Sequence, residues 1–487
     1  MDSAIRAQLA SGQVETARSA LVSMKAFEND ANYVRRMHEL GSEFTKQKDY
    51  STALQIYADL KQQYPGHDRA PGVQRSVIQT YLDMGDQDAV GRELDVFFAD
   101  YAEHPKFVEQ AQHLAADFAG RKEFDWAIEV YAGLLETLPE HDRAIRFHAG
   151  LTKAVIQKGS LDEADILVDL LERDYQSRPD YAGVVNDLGE TYRNQKEFAK
   201  ATNMYRKTLA AESSQRDDLR AYIGIAKASV RLTDNIIDPN ELINVIDLNS
   251  MSNNLNIESD FNILDVNEIL NILVTDYGDV PGLYNELTGL AEDFFAAYKY
   301  EYAIKVALKI IEHETGTSHA GDCVYMIAHC ARKLNDETTQ LEYYLIVMNQ
   351  YPQCALAYRV PNELGLLYLE QGNYEQAEYW FLKQRELYND EYYGSRSTFD
   401  LGVMYAHATG EYAKAVEVFE NYIRWYPRGV DMGDLQAQLA LCYDKLGERE
   451  KALAILREAL NDEKYEGYAD VYNEVINHIQ KGATHEE

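Results

Sequence analysis

Basic residues are missing from one long stretch of this chain. Between Leu232 and Tyr298 there is no Lys or Arg, while thirteen Asp and Glu lie there. Across all 487 residues, 81 acidic side chains stand against 47 basic ones, for a formal charge of −34. That excess argues against nucleic acid or anionic membrane as the direct ligand, because phosphate contacts need clustered Lys and Arg. It permits a basic partner, and it also keeps acidic surfaces apart in solution. Cysteine is scarce as well: Cys323, Cys330, Cys354 and Cys442 do not suggest a disulfide framework. Cys323 and Cys330 would lie ~10 Å apart along one helix, too far to bridge, so buried reduced thiols are expected. No apolar run reaches the ~18 residues of a membrane-spanning helix. Residues 1–10 carry one basic residue and no apolar core, so no signal peptide is read there. A cytoplasmic location is the expectation, with a periplasmic or extracytoplasmic one if the chain is a trimmed mature form.

Chemistry-bearing motifs are absent too. There is no G-x-G-x-x-G, no G-x-x-x-x-G-K and no G-x-S-x-G. His313, Glu314 and His319 have the wrong spacing for a zinc helix, and Gly316 interrupts them. Asp247, Asn249 and Glu258 match only part of a calcium loop, with Met251 and Ser252 where a ligand and the turn glycine belong. No catalytic residue, no cofactor and no metal are expected, and the chain reads as a non-enzyme.

What is present is repetition. In 395–427, Leu401, Gly402 and Tyr405 share one helical face. Gly410 breaks that helix, Ala415, Phe419 and Ile423 repeat the spacing on a second helix, and Pro427 stops it. The leading residues recur at Leu40-Gly41-Phe44, Leu114-Ala115-Phe118, Leu188-Gly189-Tyr192, Leu364-Gly365-Tyr368 and Leu439-Ala440-Tyr443. Thirteen positions after each of these leucines stands Ala53, Ala127, Ala201, Ala377 or Ala452. Weaker copies surround Ile78, Leu151, Leu290 and Ile327.

This pattern resembles the tetratricopeptide repeat, and the resemblance covers most of the chain. It implies an all-α superhelical solenoid of about twelve helix-turn-helix units of ~34 residues. The expected organisation is a first array over 1–232, an acidic Asn- and Ile-rich insertion over 233–262 within repeat seven, a second array over 263–465, and a capping helix with tail over 466–487. In repeat seven the second helix is placed at Val266, Ile269, Leu270 and Leu273. The capping stripe is read as Tyr468, Val471, Tyr472, Val475, Ile476 and Ile479.

The resemblance implies a non-catalytic protein-interaction scaffold that holds a peptide or protein segment along the wall built by the first helices. On that wall, the residue before the leading Leu is Glu39, Asp187, Glu363 or Asp400 in four repeats and His113 or Gln438 in two others, with Glu190 nearby. An acidic ladder of this kind prefers a basic or hydrogen-bond-donating segment; a merely solvated polar face is the plainer account. Tyr388, Tyr392 and Tyr393 lie outside the repeat template and form a second candidate contact, with packing on the next repeat as the alternative. A ligand-gated regulator, or a non-catalytic subunit of a multiprotein enzyme or envelope-assembly complex, remains open. The carboxylate-gripping chaperone co-factors of the family are disfavoured, because Ser42, Glu190, Leu366 and Val403 stand where those proteins use Asn.

Overall fold

The computed structural model describes residues 2–234, 266–388 and 392–483. Every regular element among them is helical, and no strand occurs there. The insertion expected over 233–262 therefore lies almost wholly outside the described residues. Two compact units are distinguished, Met1–Asp247 and Leu248–Glu487.

The first unit contains six helix pairs, from Asp2–Ala10 with Val14–Leu21 to Tyr181–Asn194 with Phe198–Ala210, followed by Gln215–Asp234. The second begins at Val266–Tyr277, where Val266, Ile269, Leu270 and Leu273 are buried as the apolar spacing predicts. That helix packs against Tyr300–His313, the second helix of the following pair. Five pairs then run from Leu283–Ala296 with Tyr300–His313 to Met432–Lys445 with Arg449–Leu460. Ala469–Ala483 closes the unit, burying Tyr472 and Ile479 fully, although Val471 is exposed rather than part of the buried stripe.

The repeat is longer than expected. From the second pair of the first unit onward, each first helix of a pair ends on a residue with left-handed backbone. These are Lys48, Gly85, Lys122, Gly159 and Lys196 in one unit, and Tyr298, Asn335, Gly372, Gly410 and Gly447 in the other. Successive members within a unit stand 37 residues apart, with a single step of 38 between Gly372 and Gly410. Two fourteen-residue helices such as Tyr33–Lys46 and Tyr50–Gln63 are joined by a three-residue turn. Residues 64–69 then form a six-residue link to the next helix at Ala70. The period is thus 37, not ~34.

Within a pair, glycine seats an aromatic ring. A Cβ added at Gly41, Gly189, Gly365 or Gly402 would overlap the ring of Tyr57, Tyr205, Phe381 or Phe419 respectively. The second helix thus lays its ring on the bare backbone of the first, and overpacking such a seat typically costs about 1–3 kcal/mol. The residue that completes the buried face of Tyr412–Trp425 is Tyr422, not Ile423. Tyr422 is fully buried and Ile423 is 36% exposed. The Tyr422 hydroxyl accepts from the Asp431 amide at 3.2 Å, which ties its ring inward.

The 38-residue step has a visible cause. The first helix Tyr393–Val403 runs into a π-turn over Met404–Thr409 before Gly410. Leu40, Leu114, Leu188, Leu364 and Leu439 stand eight residues before their left-handed residue; Leu401 stands nine before Gly410. A π-turn absorbs one extra residue within a helix, and here it absorbs that ninth one.

Candidate functional site

The ladder carboxylates are not a free acidic face. Each is tied to a cation, in most cases from a neighbouring repeat. Glu39 is held by Arg6, from the preceding pair, and by Arg35 at 3.1 Å. Burial would raise its pKa, but the hydrogen bonds from Arg6 and Arg35 outweigh that and hold it below the usual range. Asp187 lies between Lys153 at 4.0 Å and Arg220 at 2.9 Å. Glu190 takes Arg193 of its own helix at 3.5 Å. Glu363 accepts from Arg332 at 2.6 Å, and burial raises its carboxyl pKa despite the Arg332 and Arg359 charges.

Asp400 differs from the other rungs. The plainer account of a solvated polar face does not hold for Glu363 and Asp400, since Asp400 is only 7% exposed and the Glu363 carboxylate is largely covered. Near Asp400 stands a second buried carboxylate, Asp431, itself 5% exposed, just before the helix Met432–Lys445, which its side chain does not cap. Arg396 serves both acids, with Nη1 donating to Asp431 at 2.7 Å and Nε at 3.5 Å from Asp400 Oδ2. One guanidinium therefore answers two buried carboxylates. Asp400 Oδ2 and Asp431 Oδ2 are both covered and accept no hydrogen bond. Burial pushes the Asp400 carboxyl up to about 6; Arg396 and Asn362 oppose that shift, while Asp431 adds to it. Burial likewise raises the Asp431 carboxyl.

A polar shell supports the pair. The Ser397 hydroxyl donates to Asn362 Oδ1 of the preceding repeat. The Asn362 amide is in turn held by Gln384 Oε1 at 3.1 Å. Arg396, Asp431 and Asn362 were not among the sequence candidates. No local signal marks Asp431, because its partner lies 35 residues earlier and becomes a neighbour only when repeats stack.

The three candidate tyrosines do not form one group. Tyr388 donates to the Pro352 carbonyl at 3.0 Å, which pins it to the preceding repeat. Tyr392 and Tyr393 lie 4.8 Å apart, and Tyr393 lies 4.8 Å from Tyr358. Arg359 donates to the Tyr358 hydroxyl at 3.3 Å. The aromatic group is thus Tyr358, Tyr392 and Tyr393, with Tyr392 well exposed.

All four cysteines are buried and unbridged, and burial pushes the Cys323 and Cys330 thiols up to about 12. His319 bonds Glu314 and, at 2.6 Å, Thr288. No group of three or more potential metal ligands occurs among the described residues. Nor is any helix among them long and apolar enough to cross a membrane.

Comparison with known proteins bears on the fold. Tetratricopeptide-repeat family models match residues 40–67, 182–211 and 433–461. No curated protein matches the chain. Among solved structures, yeast Tom70 is 14% identical, with 93% of this chain and 96% of that one covered and a TM-score of 0.31. MamA protein is 18% identical, covering 38% and 94%, with a TM-score of 0.32. A thermophilic tetratricopeptide-repeat protein of Thermus thermophilus is 19% identical, covering 40% and 98%, with a TM-score of 0.27. Likenesses at that level carry no functional argument. The paired helices, the glycine seats and the three matched segments together show a chain built of tetratricopeptide repeats.

Proposed function

We propose that the chain is a non-catalytic protein-interaction scaffold whose first-helix face receives a donor-rich segment of a partner protein at Asp400 and Asp431. The observation that carries this reading is the shortage of donors there: two buried carboxylates share one arginine, and each keeps one oxygen without a hydrogen bond. Buried acceptors left unmatched are costly, so a ligand that brings its own N–H groups gains affinity by satisfying them. Arg396 is half exposed and covers the pair, so the partner's lysine, arginine or amide competes with it for the two acids. Tyr392 and Tyr393 supply an amphipathic rim in the same repeat, a residue type favoured at protein interfaces.

The test begins with co-purification of the full chain and its partner, identified by mass spectrometry. Affinity for that partner is then measured at ~50 and ~300 mM salt, a range over which exposed charges are progressively screened. The expected result is weaker binding at high salt, and roughly tenfold weaker binding by the D400N/D431N variant with its helical signal intact. Affinity indifferent to both changes overturns the reading.

A further inference from the structure

A second surface lies on the other side of the same repeats. The second helices Tyr374–Leu387 and Tyr412–Trp425 flank a cavity of about 400 Å³, floored by Leu401 and Tyr405 of the first helix and its π-turn. From Glu378 to Arg385 it extends two helical turns, ~10 Å by the helical rise. Its lining is mixed: Leu382, 43% exposed, and Trp425, 42% exposed, lie over a buried Phe381, while Thr398, Glu417 and Asn421 add polar groups between them.

The two ends of the groove differ in charge. At one end stand the acids Glu378 and Glu417 with Lys414, and that lysine is already paired with Glu411 at 2.8 Å. At the other, the Arg385 guanidinium lies 4.1 Å from the centroid of the Trp425 ring. Arg385 makes no hydrogen bond or ion pair with the described residues. Stacking fixes its plane and leaves its donor edge open, the arrangement that receives a carboxylate in bidentate fashion. In a chain of net charge −34, whose other groove-side cation is neutralised, an oriented arginine with no ion pair among the described residues is a specific feature.

The one π-turn among the described residues is a third, independent sign. It lies directly under this groove and places Tyr405 in its wall. Such turns arise from single insertions and recur at functional sites. We infer that the groove between Tyr374–Leu387 and Tyr412–Trp425 docks a segment of a partner protein that carries an aliphatic side chain beside a carboxylate. The aliphatic group packs on Leu382 above Phe381, and the carboxylate meets Arg385. Glu378 at the far end disfavours a second negative charge there.

The probe is a phage-displayed dodecapeptide library selected on the full chain, with enriched peptides synthesised and titrated. Enrichment of an aliphatic residue next to Asp or Glu is expected. R385A should weaken those peptides ~10-fold and R385K by less, because lysine keeps the charge but not the fork. L382E should abolish binding, while D400N/D431N should leave it unchanged, separating this surface from the first-helix one. Affinity that survives both R385A and L382E overturns the inference, as does a library that yields no such peptides. Sedimentation showing self-association that L382E removes would assign the groove to a second copy of the chain, and would overturn it equally.

Discussion

Asp187 and Asp400 hold the same place in their repeats, one residue before the leading leucine, yet they live in opposite surroundings. Asp187 is half exposed between two cations, Lys153 from the repeat before and Arg220 from the repeat after. Asp400 is shut in, sharing a single arginine with a second acid. One site has two cations per carboxylate, the other two carboxylates per cation. Position in the repeat fixes which way a side chain points; the residue that the next repeat sets opposite decides whether it is a surface charge or a buried, donor-starved acid.

The largest test of that contrast is R396M. Removing one partner of a fully buried pair typically costs ~3–5 kcal/mol, and about 2–4 kcal/mol is expected here because Arg396 itself is half exposed. The loss should shrink near pH 5, below the Asp400 value of about 6, where that carboxyl is largely protonated and needs no counter-ion. Denaturant unfolding of R396M and the parent at neutral pH and near pH 5 reads this out, and an equal loss at both would remove the claim that the acids are the cause.

A smaller effect is expected of D400N on the pH dependence of stability. The folded carboxyl titrates at about 6 against an ordinary value of 3.8. The folded state therefore binds more protons than the unfolded one between these values. Stability contributed by Asp400 is highest below ~4, declines as pH rises to ~6, and is level above. D400N should flatten the stability profile over that interval, by on the order of 1–3 kcal/mol, when compared with the parent. A profile of unchanged slope would show that Asp400 titrates normally.

The smallest effect belongs to D187N, which should change stability by under ~1 kcal/mol, as exposed ion pairs do. Thermal unfolding in low and in moderate salt checks it. A loss as large as that of R396M would erase the contrast between the two rungs.

Much of the fold was legible because its signals are local. Leu401, Gly402 and Tyr405 lie within about one turn of one another, and Gly410 announces its own break. The glycine seats were only half legible: Gly402 was visible as a small residue, but the ring it accommodates belongs to Phe419 on the second helix. The true period of 37 was concealed by a template of 34, although the left-handed residues Lys48, Lys122 and Lys196 keep the beat as faithfully as the glycines do. The site was less readable. Glu363 and Asp400 were found by their position, but Arg332 reaches Glu363 across 31 residues of chain and Asp431 meets Arg396 across 35. Spacing within one repeat carries no trace of either. Tyr388 was grouped with Tyr392 and Tyr393 by sequence adjacency alone, while its hydroxyl answers a carbonyl in the repeat before.

The π-turn at Met404–Thr409 has a consequence for how such an array can change with time. An extra residue in an α-helix advances every later side chain by ~100° around the axis, which would swing the Tyr412–Trp425 face out of phase with its neighbours. Here the slack is taken up before Gly410, and Ala415, Phe419 and Tyr422 still lie in the core. The turn acts as a phase corrector. A length change in one unit stays private to that unit, and the stacked modules on either side keep their register while the altered one reshapes its own outer wall.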